Sequence, residues 1–329
     1  MTYATAKQIA VSEIPVIDVS ALVARDAEGS AAAGRAMREA SERIGFFYVA
    51  GHGIPQPVID AVFGRARDFF ALPEEDKAGV AVNKRHRGWI GHGGAKMYGG
   101  ARPDLKESFV FGLELPETDR DVAAGTPLMG PNQWPAAMPG LREVVYPYYE
   151  AVLDLGQAVL RGLALSLGRD AAFFAPRFTR PLARGSLIWY PPQPPDLGRE
   201  QFGVAPHTDY GGLTFLYQDN TGGLQVRGAS GDWVMATPVE GTFVVNIGDL
   251  MARWTNDRFR SNPHRVVNTS GHARQSVAVF YDPGFHEVVD PRDLLDNAAE
   301  ARHAPMACGE WVVGHFDKAF RYRAPTPAA

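Results

Sequence analysis

The sequence predicts a mixed α/β fold of the α+β type, a double-stranded β-helix (jelly-roll) core with flanking N-terminal and C-terminal helices. Beyond about residue 180 the chain breaks into short β-rich runs, "GSLIWYPP", "GLTFLYQD", "GLQVR", "DWVMATP", "TFVVNIGD", "HRVVN" and "QSVAVFYDP", separated by Gly, Asp, Asn and Pro. Many short strands at such close spacing indicate a sandwich or barrel. Ahead of them apolar residues recur at helical spacing, and a further helical pattern, "CGEWVVGHFDKAFRYR", follows them.

In chain order, "EIPVIDVSAL" (13–22) is a short β-prone run leading into a helix-favouring stretch. Ala33, Met37, Ala40 and Ile44 then share a helical face, and the pattern switches at Gly45 to a β run over 46–49. Val58, Val62, Ala66 and Phe69 form the next apolar stripe, closed by Leu72-Pro73. Residues 83–105, rich in glycine and in basic and aromatic side chains, read as loop, and "LKESFVFGLELP" recovers strand character. A connector dense in Pro and Gly covers roughly 117–140. The longest helical pattern follows, with Val145, Tyr149, Val152, Val159 and Leu163 on or near one face. Pro147 is expected to kink it or lie near its start, and Gly168 to stop it. The last residues, "APTPAA", read as disordered.

Composition narrows the function classes. With 45% hydrophobic and 21% charged residues the chain has ample core material. A net charge of −4 leaves no electrostatic footprint for nucleic acid or an anionic membrane. The single cysteine, Cys308, permits no intramolecular disulfide, as fits a reducing compartment. No stretch resembles a membrane span or a signal peptide. The expectation is a cytoplasmic protein, a monomer or weak homo-oligomer.

The chemistry lies in "APHTDYGGLTFLYQD". The run reads as a buried strand, so His207 and Asp209 project to the same face, and two polar side chains on one face of an apolar strand need a shared partner. Taken alone the pair is weak, because a chain with 9 histidines meets a His-x-Asp by chance about half the time. A histidine simply hydrogen-bonded to an aspartate explains it as well. His264, opening another strand-like run after Pro263, makes the set two histidines and a carboxylate. Such a triad with open coordination positions suits a non-haem Fe(II) oxygenase, and zinc could bind the same ligands. Arg274 and Ser276 alternate on a strand with Ala278, Phe280 and Asp282. A buried arginine there needs an anion, either a bound dicarboxylate or an internal salt-bridge partner.

Together these segments resemble the isopenicillin N synthase-like group of Fe(II)/2-oxoglutarate-dependent oxygenases. The resemblance covers nearly the whole chain: "IPVIDVSAL", "GFFYVAGHGIP" and "FFALPEEDK" first, then "RGWIGHGG" and "PDLKESFVFGLELP", then "HTDYGGLTFLYQD", "GGLQV", "NIGD", "NPHRV" and "RQSVAVFYDP". It implies that His207, Asp209 and His264 are the iron ligands. Arg274 and Ser276 match the pair that in most members holds the distal carboxylate of 2-oxoglutarate, and Tyr190 matches a tyrosine that helps hold it. Where the family has asparagine two residues before that tyrosine, this chain has Ile188. The implied cofactors are Fe(II), 2-oxoglutarate and O2. The implied reaction converts 2-oxoglutarate and O2 to succinate and CO2 while a small-molecule substrate is hydroxylated, with desaturation or ring closure as variants.

The implied organisation is one globular unit. Residues 1–130 form an N-terminal dioxygenase region packing on the core, 131–180 a long supporting helix, 181–285 the jelly roll, and 286–329 a C-terminal helical segment and tail. Candidate substrate contacts are Phe280, on the Arg274 strand, and Arg87 and Trp89, in a loop that also carries Lys96 and Tyr98 and suits an anionic or aromatic small molecule. His52 reads as a turn residue, His272 as a solvated hairpin residue, and Asp282 as a strand-end turn residue. Cys308 reads as unreactive, away from any helix start or basic neighbourhood. Two rival readings keep the triad: a co-substrate-free iron oxidase, with Arg274 and Ser276 on the substrate's own carboxylate, and a zinc hydrolase, which leaves that pair without a role.

Overall fold

A computed structural model describes residues 14–94, 102–193, 201–228 and 230–323. The terminal "APTPAA" and the candidates Lys96 and Tyr98 lie outside the described residues.

Two sheets face each other. The larger has eight strands, in edge-to-edge order Val16–Asp18, Phe46–Ala50, Phe243–Ile247, Leu213–Gln218, Arg274–Tyr281, Arg184–Tyr190, Glu107–Gly112 and Gly88–Ile90. The smaller has four: Val204–His207, His264–Val266, Leu224–Arg227 and Trp233–Met235. Neighbours in both sheets are antiparallel except the first pair of the larger one. This is the expected jelly roll.

Alternation along each strand splits the core in two. Phe47, Val49, Val277 and Val279 point outward into a cluster shared with the helices, whereas Phe46, Tyr48, Ala278, Ile188 and Tyr190 point between the sheets and meet Val204, Leu224 and Val266 of the smaller one. Strands buried on both sides are largely apolar in consecutive positions, as "FFYVA" is and as "FVVNI" is but for Asn246.

The supporting layer is helical. Leu141–Ser166 buries Val145, Tyr149, Val152, Val159 and Leu163, the expected face, with Pro147 inside the helix and Gly168 just beyond it at φ +72°. Ala27–Arg43 packs on it, and Gln56–Phe70 buries Val62, Ala66 and Phe69. Small residues allow the close approach of the first pair: a Cβ on Gly34 would lie 2.8 Å from the Gly162 carbonyl oxygen. Among the described residues no helix is long and apolar enough to cross a membrane.

Two expectations change. The region read as loop over 83–105 contains the strand Gly88–Ile90, recruited by pairing with Ser108–Val110. Cys308 opens the helix Cys308–Ala319, contrary to its placement away from a helix start. Its thiol nonetheless donates to the Pro283 carbonyl, and burial pushes its pKa well up, which keeps it inert as expected.

Candidate active site

His207 ends the strand Val204–His207, and His264 begins its antiparallel neighbour, so the register sets the two opposite each other. Their ring centres are 4.3 Å apart. Asp209 lies beyond the strand end, so strand alternation is not what turns it toward His207. Its position comes from two neighbouring strands, where Thr214 Oγ1 donates to Oδ2 at 2.6 Å and Asn246 Nδ2 donates to the same oxygen at 2.8 Å. Its backbone is pinned as well, the Asp249 N–H donating to the Asp209 carbonyl at 2.7 Å.

The other carboxylate oxygen, Oδ1, stands 3.5 Å from His207 Nε2 and 3.7 Å from His264 Nε2. The ligand atoms of the three residues lie within 4.8 Å of one another, the one such cluster among the described residues. His207 Nδ1 faces the Ala205 carbonyl at 2.8 Å and His264 Nδ1 the Asn262 carbonyl at 3.3 Å. A carbonyl only accepts, so each Nδ1 carries a proton and each Nε2 is the nitrogen left facing the metal position. Burial raises the Asp209 carboxyl, but the two imidazoles and the Thr214 hydroxyl outweigh it and hold the group well below the usual carboxylate range. Burial, helped by His207, pushes His264 down to about 4. At neutral pH Asp209 is ionised and His264 neutral, the states a divalent cation requires.

Arg274 is fully buried, 0% exposed, directly across the strand pair from Tyr190. Nε donates to the Gly222 carbonyl at 2.6 Å, Nη2 to Gln218 Oε1 at 3.2 Å and Nη1 to Ser276 Oγ at 3.3 Å. All these partners are neutral, and among the described residues no carboxylate pairs with this guanidinium. Arg274 and Tyr190 line the same cavity as the triad, and Ser276 sits beside Arg274 within hydrogen-bond reach. Ile188, the departure from the family pattern, also lines it, between Ser108 and Ser276 in the register.

Phe280 lines the cavity as expected, whereas Arg87 and Trp89 do not. The Arg87 guanidinium is buried on the carbonyls of Arg85, His86 and Leu128, and Trp89 Nε1 donates to Glu107 Oε2 at 2.7 Å. Their sequence neighbours His86 and Ile90 face the cavity instead. Left-handed backbone at His86 (φ +58°) and Gly88 (φ +113°) resets the direction of this segment, which composition does not reveal. His52 accepts from Ile54 N–H in a turn, and His272 is exposed, both as expected. Asp282 has a larger role than a turn: its carboxylate lies 2.8 Å from Arg184 Nη2, and the pair is buried.

Sequence reasoning missed Lys106, Arg184, His86 and Asn246 in the cavity wall. Period-two parity was available for two of them. Lys106 shares a face with Ser108 and Val110, and Arg184 with Ser186, Ile188 and Tyr190.

Comparison with known proteins bears on this geometry. A family model described as non-haem dioxygenase in morphine synthesis N-terminal matches residues 14–137, and the 2OG-Fe(II) oxygenase superfamily model matches residues 179–283. A 2-oxoglutarate-Fe(II) type oxidoreductase of Emericella nidulans is 39% identical over 93% of this chain and 90% of its own. A homoarginine-6-hydroxylase of Glycine max is 35% identical over 86% of this chain and 89% of its own. The crystal structure of a full-length Neurospora crassa protein in complex with alpha-KG and thymine superposes with a TM-score of 0.83 at 28% identity, covering 93% of this chain and 96% of that one.

Proposed function

Because this chain belongs to the 2OG-Fe(II) oxygenase superfamily and is a 2-oxoglutarate-dependent dioxygenase acting on a small molecule, we propose that His207, Asp209 and His264 hold its ferrous ion and that Arg274, Ser276 and Tyr190 hold its 2-oxoglutarate. The observation that carries this reading is Arg274, a fully buried guanidinium with neutral partners only among the described residues, in the wall of the cavity that the triad also lines. A buried cation without an anion is costly, and the distal carboxylate of 2-oxoglutarate supplies one.

The donor set fits Fe(II): two imidazoles and one carboxylate oxygen, with the cavity side open to further ligands. Bound there with 2-oxoglutarate and O2, iron supplies the oxidising chemistry that yields succinate and CO2 and oxidises the substrate. This chain's residues do the rest. Thr214 and Asn246 occupy Asp209 Oδ2 and so leave Oδ1 for the metal. Arg274 and Ser276 orient the co-substrate, with the guanidinium carbon 4.7 Å from the centre of the Tyr190 ring that supports it. Phe46, Leu216 and Phe280 keep the cavity apolar and limit water.

Hydroxylation is the outcome we assign. The co-substrate-free oxidase and the zinc hydrolase gain no support from relatives such as the Emericella nidulans protein, a 2-oxoglutarate-Fe(II) type oxidoreductase by name. The named substrates of relatives differ, homoarginine in one and thymine in the ligand of another, so the substrate here is a matter for this chain's own cavity wall. A cytoplasmic location and a monomer or weak homo-oligomer complete the proposal, resting on composition and the single buried cysteine.

The test is an anaerobic titration of metal-free protein with Fe(II) and 2-oxoglutarate. A weak visible charge-transfer band that needs both is the expected result. Tight binding of one Fe(II) per chain without the band would favour the co-substrate-free oxidase, and no iron binding would overturn the assignment.

A further inference from the structure

Of the described side chains that wall the cavity, Asp209 is the one carboxylate, whereas Lys106, Arg184 and Arg274 are cations. Arg274 belongs to the co-substrate end already described. Arg184 is satisfied by Asp282 behind it, and it packs 5.5 Å and 5.0 Å from the ring centres of Phe280 and Phe316. Lys106 differs. Its Nζ stands 3.7 Å from Asp104 Oδ2, beyond hydrogen-bond length, and that oxygen accepts no hydrogen bond within the described residues. The Lys106 side chain is only 14% exposed, so three ammonium donors are largely withdrawn from water, with the Asp104 ion pair at 3.7 Å as their compensation.

The surroundings say where this ammonium points. Lys106 immediately precedes the strand Glu107–Gly112 and shares the cavity-facing parity of Ser108 and Val110. Asp104 is absent from the cavity wall, and its Oδ1 accepts from the N–H of Ala205, two residues before His207. The ammonium therefore faces the cavity beside the His207 edge of the triad, with its carboxylate neighbour outside the wall. The wall also includes the hydrocarbon side chains of Ile90, Val110, Phe280, Phe316 and Phe320, among polar ones such as His86, Ser108 and Asn246.

We propose that Lys106 is a specificity-determining residue that takes the carboxylate of a small anionic substrate whose apolar body lies against Phe280, Phe316 and Phe320. The proposal rests on the iron and 2-oxoglutarate reading above. Ferrous ion, Asp209, 2-oxoglutarate and Arg274 together are electrically neutral and Arg184 is paired with Asp282, so in the loaded site Lys106, paired only at 3.7 Å with Asp104 outside the wall, is the cation best placed to attract a ligand. A cationic group would find no carboxylate in this wall apart from Asp209, which the metal engages.

The test adds benzoate, phenylacetate or 3-phenylpropionate, and separately their primary amides, to the anaerobic Fe(II)–2-oxoglutarate complex. Binding is read as a shift of the charge-transfer band. At least one carboxylate should bind about ten- to a hundredfold more tightly than its amide. Lys106→Met should erase that preference and Lys106→Arg should keep it; if Lys106→Met fails to form the band, Lys106→Gln decides the comparison. Equal binding of amide and acid, a preference that survives loss of the ammonium, no response to any of the three carboxylates, or a band bleached by displacement of 2-oxoglutarate would each overturn the proposal. The band recorded before any probe is added reports on the underlying reading alone, so the two can fail separately.

Discussion

The Arg274 guanidinium carbon lies over the Tyr190 ring across an antiparallel strand pair, 4.7 Å from the ring centre, while among the described residues its nitrogens find only neutral acceptors. Buried, and with no paired carboxylate among the described residues, it is the group we assign to the co-substrate's anion. Arg274→Ala is therefore expected to weaken 2-oxoglutarate binding by about two to three orders of magnitude, the scale of a lost charge-assisted bidentate contact. Ser276→Ala should cost about fivefold. Fe(II) affinity, measured in the absence of 2-oxoglutarate, should stay unchanged in both.

Asn246 and Thr214 touch no metal in this scheme, yet both hold Asp209 Oδ2. Asn246→Ala and Thr214→Val should each lower metal affinity about 10- to 100-fold by freeing the carboxylate to rotate. Titration with Co(II) as a spectroscopic stand-in measures this directly. Unchanged affinity in both would mean that the backbone at Asp209 is sufficient to hold the ligand.

The Arg184–Asp282 pair is buried on both sides, and Asp282 Oδ1 also accepts from Gly212 N–H at 2.6 Å. Burial raises the Asp282 carboxyl and Arg184 works against that rise. Asp282→Asn keeps an acceptor for Gly212 but removes the charge, leaving Arg184 buried and unpaired. Urea unfolding is expected to show a loss of about 3–5 kcal/mol.

His86 is buried against Phe316, Phe320 and Tyr322, and its Nδ1 meets the Tyr322 hydroxyl. Burial first, then Arg184 and Arg87, hold its pKa well below 6.5. The unfolded chain thus takes up a proton at a pH where the folded one does not. The contribution of His86 to stability is whole above pH 6.5 and declines as pH falls below it toward the depressed folded value. His86→Asn, which tolerates the left-handed backbone at φ +58°, should give a shallower fall in melting temperature between about pH 6.5 and 5 than the parent chain. Equal slopes would assign the acid sensitivity to other groups.

Much of the site was legible because its signals are local. His207 and Asp209 sit two residues apart, His264 opens a run marked by Pro263, and Arg274 and Ser276 share a strand face by period-two alternation. Where the local rule was pressed too far it failed. Asp209 lies past the end of its strand, so its direction comes from Thr214 and Asn246 rather than from alternation. Arg87 and Trp89 were read as substrate contacts from composition, but the backbone at His86 and Gly88 turns His86 and Ile90 inward instead.

By itself the sequence determined the class of fold, the order of its elements and the candidates for metal and co-substrate ligands, because hydrophobic period and short motifs are properties of neighbouring residues. Only the tertiary structure decided that Arg274 has no carboxylate partner among the described residues, that Arg184 has one in Asp282, and that Lys106 faces the triad's cavity. Those facts depend on strand order: "ESFVFG", "RGSLIWY" and "RQSVAVFY" lie far apart in the chain and become neighbours only when the sheet assembles. A charge is satisfied or left wanting by what lies across the ladder from it, and pairing between distant segments leaves no periodic mark in either one.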